Sequence, residues 1–426
     1  MSRQIKITDD PLSGARVYEY SHRSGAVVLA VEENTQNSSA SVSIPYGGGT
    51  SEIRLDGFRY LPAFPGSAHF AEHMIFTGGR LDRFCALGAD ANAETTMTGT
   101  TYYVSAGEKF LYSLGDLAYM VIKPTFSKDE LEKEREIILR EKSDDDDAFT
   151  KGRNALTDMV YSRGSVRREI IGDVKSIKKM DADLLRGIYS CAYMPGVMSF
   201  AAVSSFDHRK IFDMIDAALF GNDSRAVPDF KRIKSVRRVG TERQRGVKAL
   251  SGSGLVFFGI YPDMSVLGDN YAKKQVYSSM LESMIFDRTE HIGGGFLDGR
   301  TGINGGFRSD AEIFADELML TAGLSCEDAR GTANEFISFF DGVKTKGARH
   351  LFPNVEAKRR SLVAEYLSVY DSPSDLSLTM SEYSAAGARF TDVGTELIRF
   401  DENDFFAFAD RVLEGAEVFA VYGAEN

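Results

Sequence analysis

His69 and His73 stand four positions apart in the stretch HFAEHMIF, with Glu72 directly before the second histidine. On an α-helix, residues i and i+4 lie one above the other, so both imidazoles can present a nitrogen to a common point. Zinc takes such nitrogens readily, and a catalytic zinc needs three protein ligands with its fourth position left to water. Glu72 borders the same face, three residues after His69, where a carboxylate can take a proton from that water as general base. The chain has only six histidines, so this spacing reads as a metal site rather than as an amphipathic helix with histidine on it.

A third ligand must come from another element. A helix is predicted after Ser127, where Ser127 and Glu130 form a capping box. Within it Leu131, Glu134, Ile138 and Glu141 follow at spacings of three and four, one stripe that should turn towards the core. Carboxylates on a buried face are costly unless a cation or partner meets them, so Glu134 and Glu141 are the candidates. Glu130, Glu132 and Glu136 fall on the solvated side. A structural zinc site is the alternative and would require a fourth ligand, which only a residue distant in sequence, such as Cys191, could provide.

The elements that must position these residues can be read along the chain. Strands are predicted from Ala26 and Ser39, a helix after Pro65 and Gly66 that stops at Gly78 and Gly79, and a Thr- and Tyr-rich strand region from Gly88 to Ala106. A helix ending at Pro124, the helix after Ser127, a strand in MSFAAVSSF and a helix from Asp207 complete the first half. The polar, basic segment from Asn222 to Gly246 lacks an apolar period and reads as a linker. Beyond it the strand and helix order recurs, and SMLESMIF repeats HFAEHMIF: Glu282, Met284, Ile285 and Phe286 take the places of Glu72, Met74, Ile75 and Phe76, while Ser279 and Ser283 replace the histidines. The resulting division is 1–222, a linker at 223–245, and 246–426, with metal ligands in the first part alone.

Composition narrows the function classes. At 426 residues the chain suits two domains, and 43% hydrophobic with 26% charged residues is ordinary for a soluble globular protein. No apolar run approaches the length of a membrane helix, and MSRQIKITDDPLSG lacks the apolar core of a secretory signal, so cytoplasm is the expectation. A net charge of -12 disfavours nucleic acid. Cys85, Cys191 and Cys326 are too scattered for a disulfide framework and are expected to be reduced and buried. The stretch Gly293 to Gly306 lacks a phosphate-loop pattern, and the aspartates after Ser143 lack the alternation of a calcium loop.

HFAEH is the H-x-x-E-H pattern, and with EREIILRE about seventy residues later the chain resembles the pitrilysin/insulinase family of zinc peptidases, which includes the mitochondrial processing peptidases and their bacterial relatives. The resemblance covers most of the first half. It implies an α+β fold of two homologous α/β domains, each a mostly antiparallel sheet backed by helices, together half of a clamshell that closes on peptides or unfolded segments. It further implies a zinc endopeptidase holding one zinc per chain, with His69, His73 and Glu141 as ligands, Glu72 as base and Glu134 supporting a ligand from behind. Asn92 and Ala93 in DANAETT match the family's sheet edge, where a substrate peptide is held as an added strand. Active members or their partners also carry an Arg and a Tyr in the second half; Arg288 and Arg300 are available here, but no tyrosine follows either at a matching spacing. The chain is therefore expected to act as a dimer, the zinc-bearing member of an unlike pair whose homologous partner supplies the Arg/Tyr segment, with a homodimer open. The rival within the same superfamily is a non-catalytic partner subunit.

Overall fold

The strand Ser38–Ile44 alternates serine with aliphatic residues at period two, and it is buried on both faces. Ala40, Val42 and Ile44 enter a core shared with Val28, Tyr102, Val104, Phe110, Leu114 and Phe212. The serines face the helix Pro373–Ala385 instead. Ser41 Oγ donates to the Ser377 carbonyl at 2.7 Å, and Ser43 Oγ lies 2.7 Å from Ser381 Oγ. A hydroxyl buried without a partner costs about 1–3 kcal/mol, and the matching serines on helix and strand remove that cost.

This computed structural model describes residues 3–55, 60–144, 148–222, 224–240, 242–252, 254–262, 270–286, 308–314 and 317–424. Arg288, Arg300, the Gly293 to Gly306 stretch and Asp145 to Asp147 of the acidic run lie outside the described residues.

The chain mixes helices and strands in an α+β arrangement of two compact units. The first comprises Met1–Ser143, Arg168–Ile233 and Tyr366–Gly394; the second comprises Asp144–Arg167, Lys234–Glu365 and Thr395–Asn426. A sequential division at 222 and 246 meets these units only in part, because helix Pro373–Ala385 packs on the first sheet and helix Ala148–Val160 belongs to the second unit. Within Asn222 to Gly246, short strands form at Asp229–Lys231, Val236–Arg237 and Gln244–Val247. Strands of so few residues leave no hydrophobic period to read.

Among the described residues, the first unit's sheet has seven strands in the order Ile5–Asp9, Arg16–Ser21, Val27–Glu32, Ser199–Ser204, Ser38–Ile44, Thr100–Ala106, Ala89–Thr95. Every pairing is antiparallel except that of Ser199–Ser204 with Val27–Glu32. Among the described residues, the second unit's sheet runs Gln244–Val247, Glu417–Gly423, Leu255–Tyr261, Glu317–Ser325, Arg308–Phe314, and again only its first pair is parallel. Strand order and direction thus repeat the last five strands of the first sheet.

All three cysteines are free, but only Cys326 is buried; Cys85 is exposed and Cys191 half-buried. Among the described residues, no helix is long and apolar enough to cross a membrane.

Candidate metal centre

The histidine helix, Ser67–Phe76, buries Ala68, Phe70, Ala71, Met74 and Ile75 and leaves His69, Glu72 and His73 on its other face. Its entry is set by Gly66, whose φ of 84° suits glycine, and a Cβ there would lie 2.3 Å from the Ile171 carbonyl. Close backbone contact with Ile171 and Gly172 therefore fixes where the helix begins.

The glutamate helix spans Lys128–Asp144. Its capping box forms: the Glu130 amide donates to Ser127 Oγ at 3.2 Å, and Ser127 Oγ donates to the Glu130 carboxylate at 2.8 Å. Leu131 and Ile138 are buried in a small core with Phe70, Met74, Ile177, Met180 and Leu185. Arg135 secures the same helix by donating to the Ile177 carbonyl and, at 2.6 Å, to the Met180 carbonyl. The aliphatic members of the stripe thus bind the two helices together, and its glutamates come to the histidines.

His73 Nε2 lies 3.2 Å from Glu141 Oε2, and His69 Nε2 lies 3.8 Å from the same oxygen. The donor atoms of His69, His73 and Glu141 all fall within 4.8 Å of one another. Atoms bound to zinc at about 2.1 Å in a tetrahedron are about 3.4 Å apart, so the spacing fits a common zinc. Two imidazole nitrogens and one carboxylate oxygen are also the donor set of a hydrolytic rather than a structural zinc. Cys191 is not part of this group.

The surroundings prepare the donors. His73 Nδ1 is 3.0 Å from Glu134 Oε2. A proton placed on Nδ1 by that bond leaves the Nε2 lone pair free, and Glu134 fixes the ring plane. Burial, and then the neighbouring His73, lower the pKa of His69 to about 3, so its ring is neutral and able to ligate. His69, His73 and Glu134 are 14, 16 and 18% exposed, whereas Glu141 is 41% exposed, which leaves the group open on the Glu141 side. Burial raises the pKa of Glu72, opposed by a hydrogen bond from Thr95 and by His73. Thr95 Oγ1 donates to Glu72 Oε2 at 2.5 Å. Residue spacing gives no hint of Thr95, because the contact joins a helix to a strand.

Asn92 and Ala93 lie on Ala89–Thr95, the last strand of the seven-stranded sheet. Among the described residues this strand pairs only with Thr100–Ala106, so its outer edge carries no partner strand. Asn92 is exposed and its Oδ1 accepts from the Ala93 amide at 2.8 Å, while Ala93 is half-buried against the core. The structure brings neither side chain into the ligand group; what they share with it is the strand that ends at Thr95, against Glu72.

A second convergence, Glu32, Asp207 and His208, has a structural explanation. Asp207 caps the helix His208–Ala218, and Glu32 accepts from both the His208 amide and its Nδ1. The His208 ring stacks on Tyr18 with centroids 3.9 Å apart.

Residues 27–173 match the family model described as Insulinase (Peptidase family M16). The chain is 32% identical over 154 residues to the zinc protease YmfH of Bacillus subtilis, covering 35% of this chain and 36% of that protein. It is 26% identical over 194 residues to the mitochondrial-processing peptidase subunit beta of Saccharomyces cerevisiae, covering 43% and 40%. The matches therefore span less than half the length of these relatives. Among solved structures, an M16-like peptidase from Alicyclobacillus acidocaldarius superposes with a TM-score of 0.82 at 19% identity, over 100% of this chain and 99% of the other. An inactive domain of a peptidase M16 from Pseudomonas fluorescens gives 0.76 at 15% identity, over 96% and 98%. The fold is shared along the whole chain, and the match to the M16, insulinase-family model lies within residues 27–173.

Proposed function

We propose that this chain is a zinc-dependent endopeptidase that cuts extended peptides held along the edge of its first sheet. The observation that carries the reading is the convergence of His69 Nε2, His73 Nε2 and Glu141 Oε2 beside the Glu72 carboxylate. Zinc held there would supply Lewis acidity, polarising the scissile carbonyl and bringing the pKa of water towards neutrality. Glu72 accepts a proton as the water oxygen attacks the carbonyl carbon, then delivers that proton to the amide nitrogen as the C–N bond breaks. Burial favours a carboxyl group that can hold the proton between these two steps. Backbone groups from Asn92 and Ala93 pair with the substrate as an added strand, which selects extended chains of varied sequence.

A partner chain of the same superfamily, supplying arginine and tyrosine to the substrate, belongs to this reading. The yeast relative is named as a subunit, which supports it. A non-catalytic role is the second reading, favoured by the fold shared with an inactive M16 domain. The purified chain, alone and with any homologous chain that co-purifies from its native host, should hold one zinc and cleave quenched-fluorescence peptides. Glu72→Gln should keep the zinc and lose turnover. Undiminished cleavage by that variant would overturn the mechanism; zinc without cleavage by any form would favour the non-catalytic role.

A further inference from the structure

The oxygens of Glu72 are unequal. Oε2 takes a hydrogen bond from Thr95 Oγ1 at 2.5 Å, and Oε1 has no such tie to Thr95. A glutamate's terminal torsion is broad and roughly two-fold, so a carboxylate without an anchor samples many orientations. The Thr95 hydroxyl has one proton to give. Its other neighbour, Thr100 Oγ1, is 3.4 Å away and donates to the Tyr46 carbonyl at 2.8 Å. Thr100 Oγ1 can accept, but at 3.4 Å against 2.5 Å it is the poorer acceptor, and the Thr95 proton goes to Glu72.

Thr95 is also the last residue of the strand whose free edge is proposed to hold the peptide. One side chain thus joins the strand that would carry the substrate to the group that would move the proton.

We infer that Thr95 is a positioning residue: it clamps Glu72 Oε2, leaves Oε1 as the oxygen that exchanges the proton, and sets that oxygen's distance from a peptide paired along the Ala89–Thr95 edge. The inference rests on the endopeptidase reading. The hydroxyl serves both states of the base, since it donates to Oε2 whether or not Oε1 carries a proton. An orientation error of about 1 Å at a reacting group can lower turnover about a hundred-fold, which sets the scale of the effect.

The second unit contains an internal control. Ser309, on the edge strand Arg308–Phe314, donates to Glu282 of the helix Tyr271–Phe286, where Ser279 and Ser283 stand in the positions of the two histidines. A hydroxyl-to-glutamate tie therefore links helix and edge strand in both units, and among the described residues only the tie in the first unit adjoins a ligand set. Loss of the second tie measures what such a bond does for stability alone.

Three variants test the inference on the zinc-loaded full chain, in whichever assembly cleaves a quenched-fluorescence peptide. Thr95→Val keeps the branched shape that suits a strand and removes the donor; kcat should fall roughly ten- to a hundred-fold with KM within about two-fold and zinc content unchanged. Thr95→Ser keeps the donor and should stay within about three-fold of the unaltered kcat. Ser309→Ala should alter melting about as much as Thr95→Val while leaving kcat unaltered. The inference is overturned by a Thr95→Val kcat within two-fold of the unaltered chain, by a loss confined to KM, or by a folded, zinc-loaded Thr95→Ser that falls as far as Thr95→Val. If Thr95→Val does not fold, a folded, zinc-loaded Thr95→Ser whose kcat falls about ten-fold or more overturns the inference, and one within about three-fold upholds it. An unaltered chain that cleaves and a Glu72→Gln chain that does not would show that such a failure belongs to Thr95 and not to the endopeptidase reading.

Discussion

Two helices of this protein share four residues in register and differ in what they can bind. In His69 to Phe76 and in Ser279 to Phe286, positions carrying Phe70 or Met280, Ala71 or Leu281, Met74 or Met284, and Ile75 or Ile285 are buried. The positions of His69 or Ser279, Glu72 or Glu282, and His73 or Ser283 are half-buried in both. Each helix contacts the edge strand of its own sheet, and in each the glutamate accepts a hydroxyl from that strand. The buried stripe therefore maintains the helix in its place, while the residues of the facing stripe can change without disturbing the packing. The proposed chemistry therefore rests on a replaceable face.

The comparison can be broken most sharply at the ligands. His73→Ala should lose zinc and lower peptide cleavage at least about a thousand-fold, while Ser283→Ala leaves both unaltered and shifts stability by no more than about 0.5 kcal/mol. Metal analysis and initial rates on the same preparations decide it, and a comparable loss from Ser283→Ala would show that the second helix takes part in the chemistry. Packing should instead treat the helices alike. Met74→Ala and Met284→Ala each remove a wholly buried side chain and should each destabilise their unit by about 2–5 kcal/mol, read by denaturant unfolding. A negligible cost at either position would deny that the buried stripe holds that helix. The finest distinction concerns Glu134, which lies against His73 Nδ1 in the first unit. Glu134→Gln should weaken zinc binding about ten- to a hundred-fold in chelator competition, by loosening the hold on His73 Nδ1, with little change in melting of the metal-free chain. Unaltered affinity would reduce Glu134 to a surface carboxylate.

Much of the fold was legible from periodicity. The apolar run VVLAVE, the capping box at Ser127 and the Leu131, Glu134, Ile138, Glu141 stripe each specify an element through contacts only a few residues apart. The helix Pro373–Ala385 shows the limit. Its apolar stripe is short, with Leu376 and Met380 buried beside Ser377 and Ser381, and the value of those serines appears only against Ser39, Ser41 and Ser43, more than three hundred residues earlier. The cysteines were misjudged for a related reason: Cys85 has the composition of a core residue but sits on the exposed side of a short helix, Arg80–Ala86. Thr95 escaped notice because neither strand spacing nor helix spacing relates it to Glu72.

Amino-acid order alone determined that His69, Glu72 and His73 share one side of a helix, because 3.6 residues per turn superposes i and i+4 wherever that helix lies. It also placed Glu134 and Glu141 together on a second helix, with either one able to serve as a ligand. Which of them meets the imidazole Nε2 atoms was decided in three dimensions, where Phe70 and Met74 pack with Leu131 and Ile138 and so set the axial position of one helix against the other. That packing brings Glu141 to the open side of both rings and leaves Glu134 behind His73. Hydrophobic contact is short-ranged and blind to sequence separation, so this choice exists only in the folded chain.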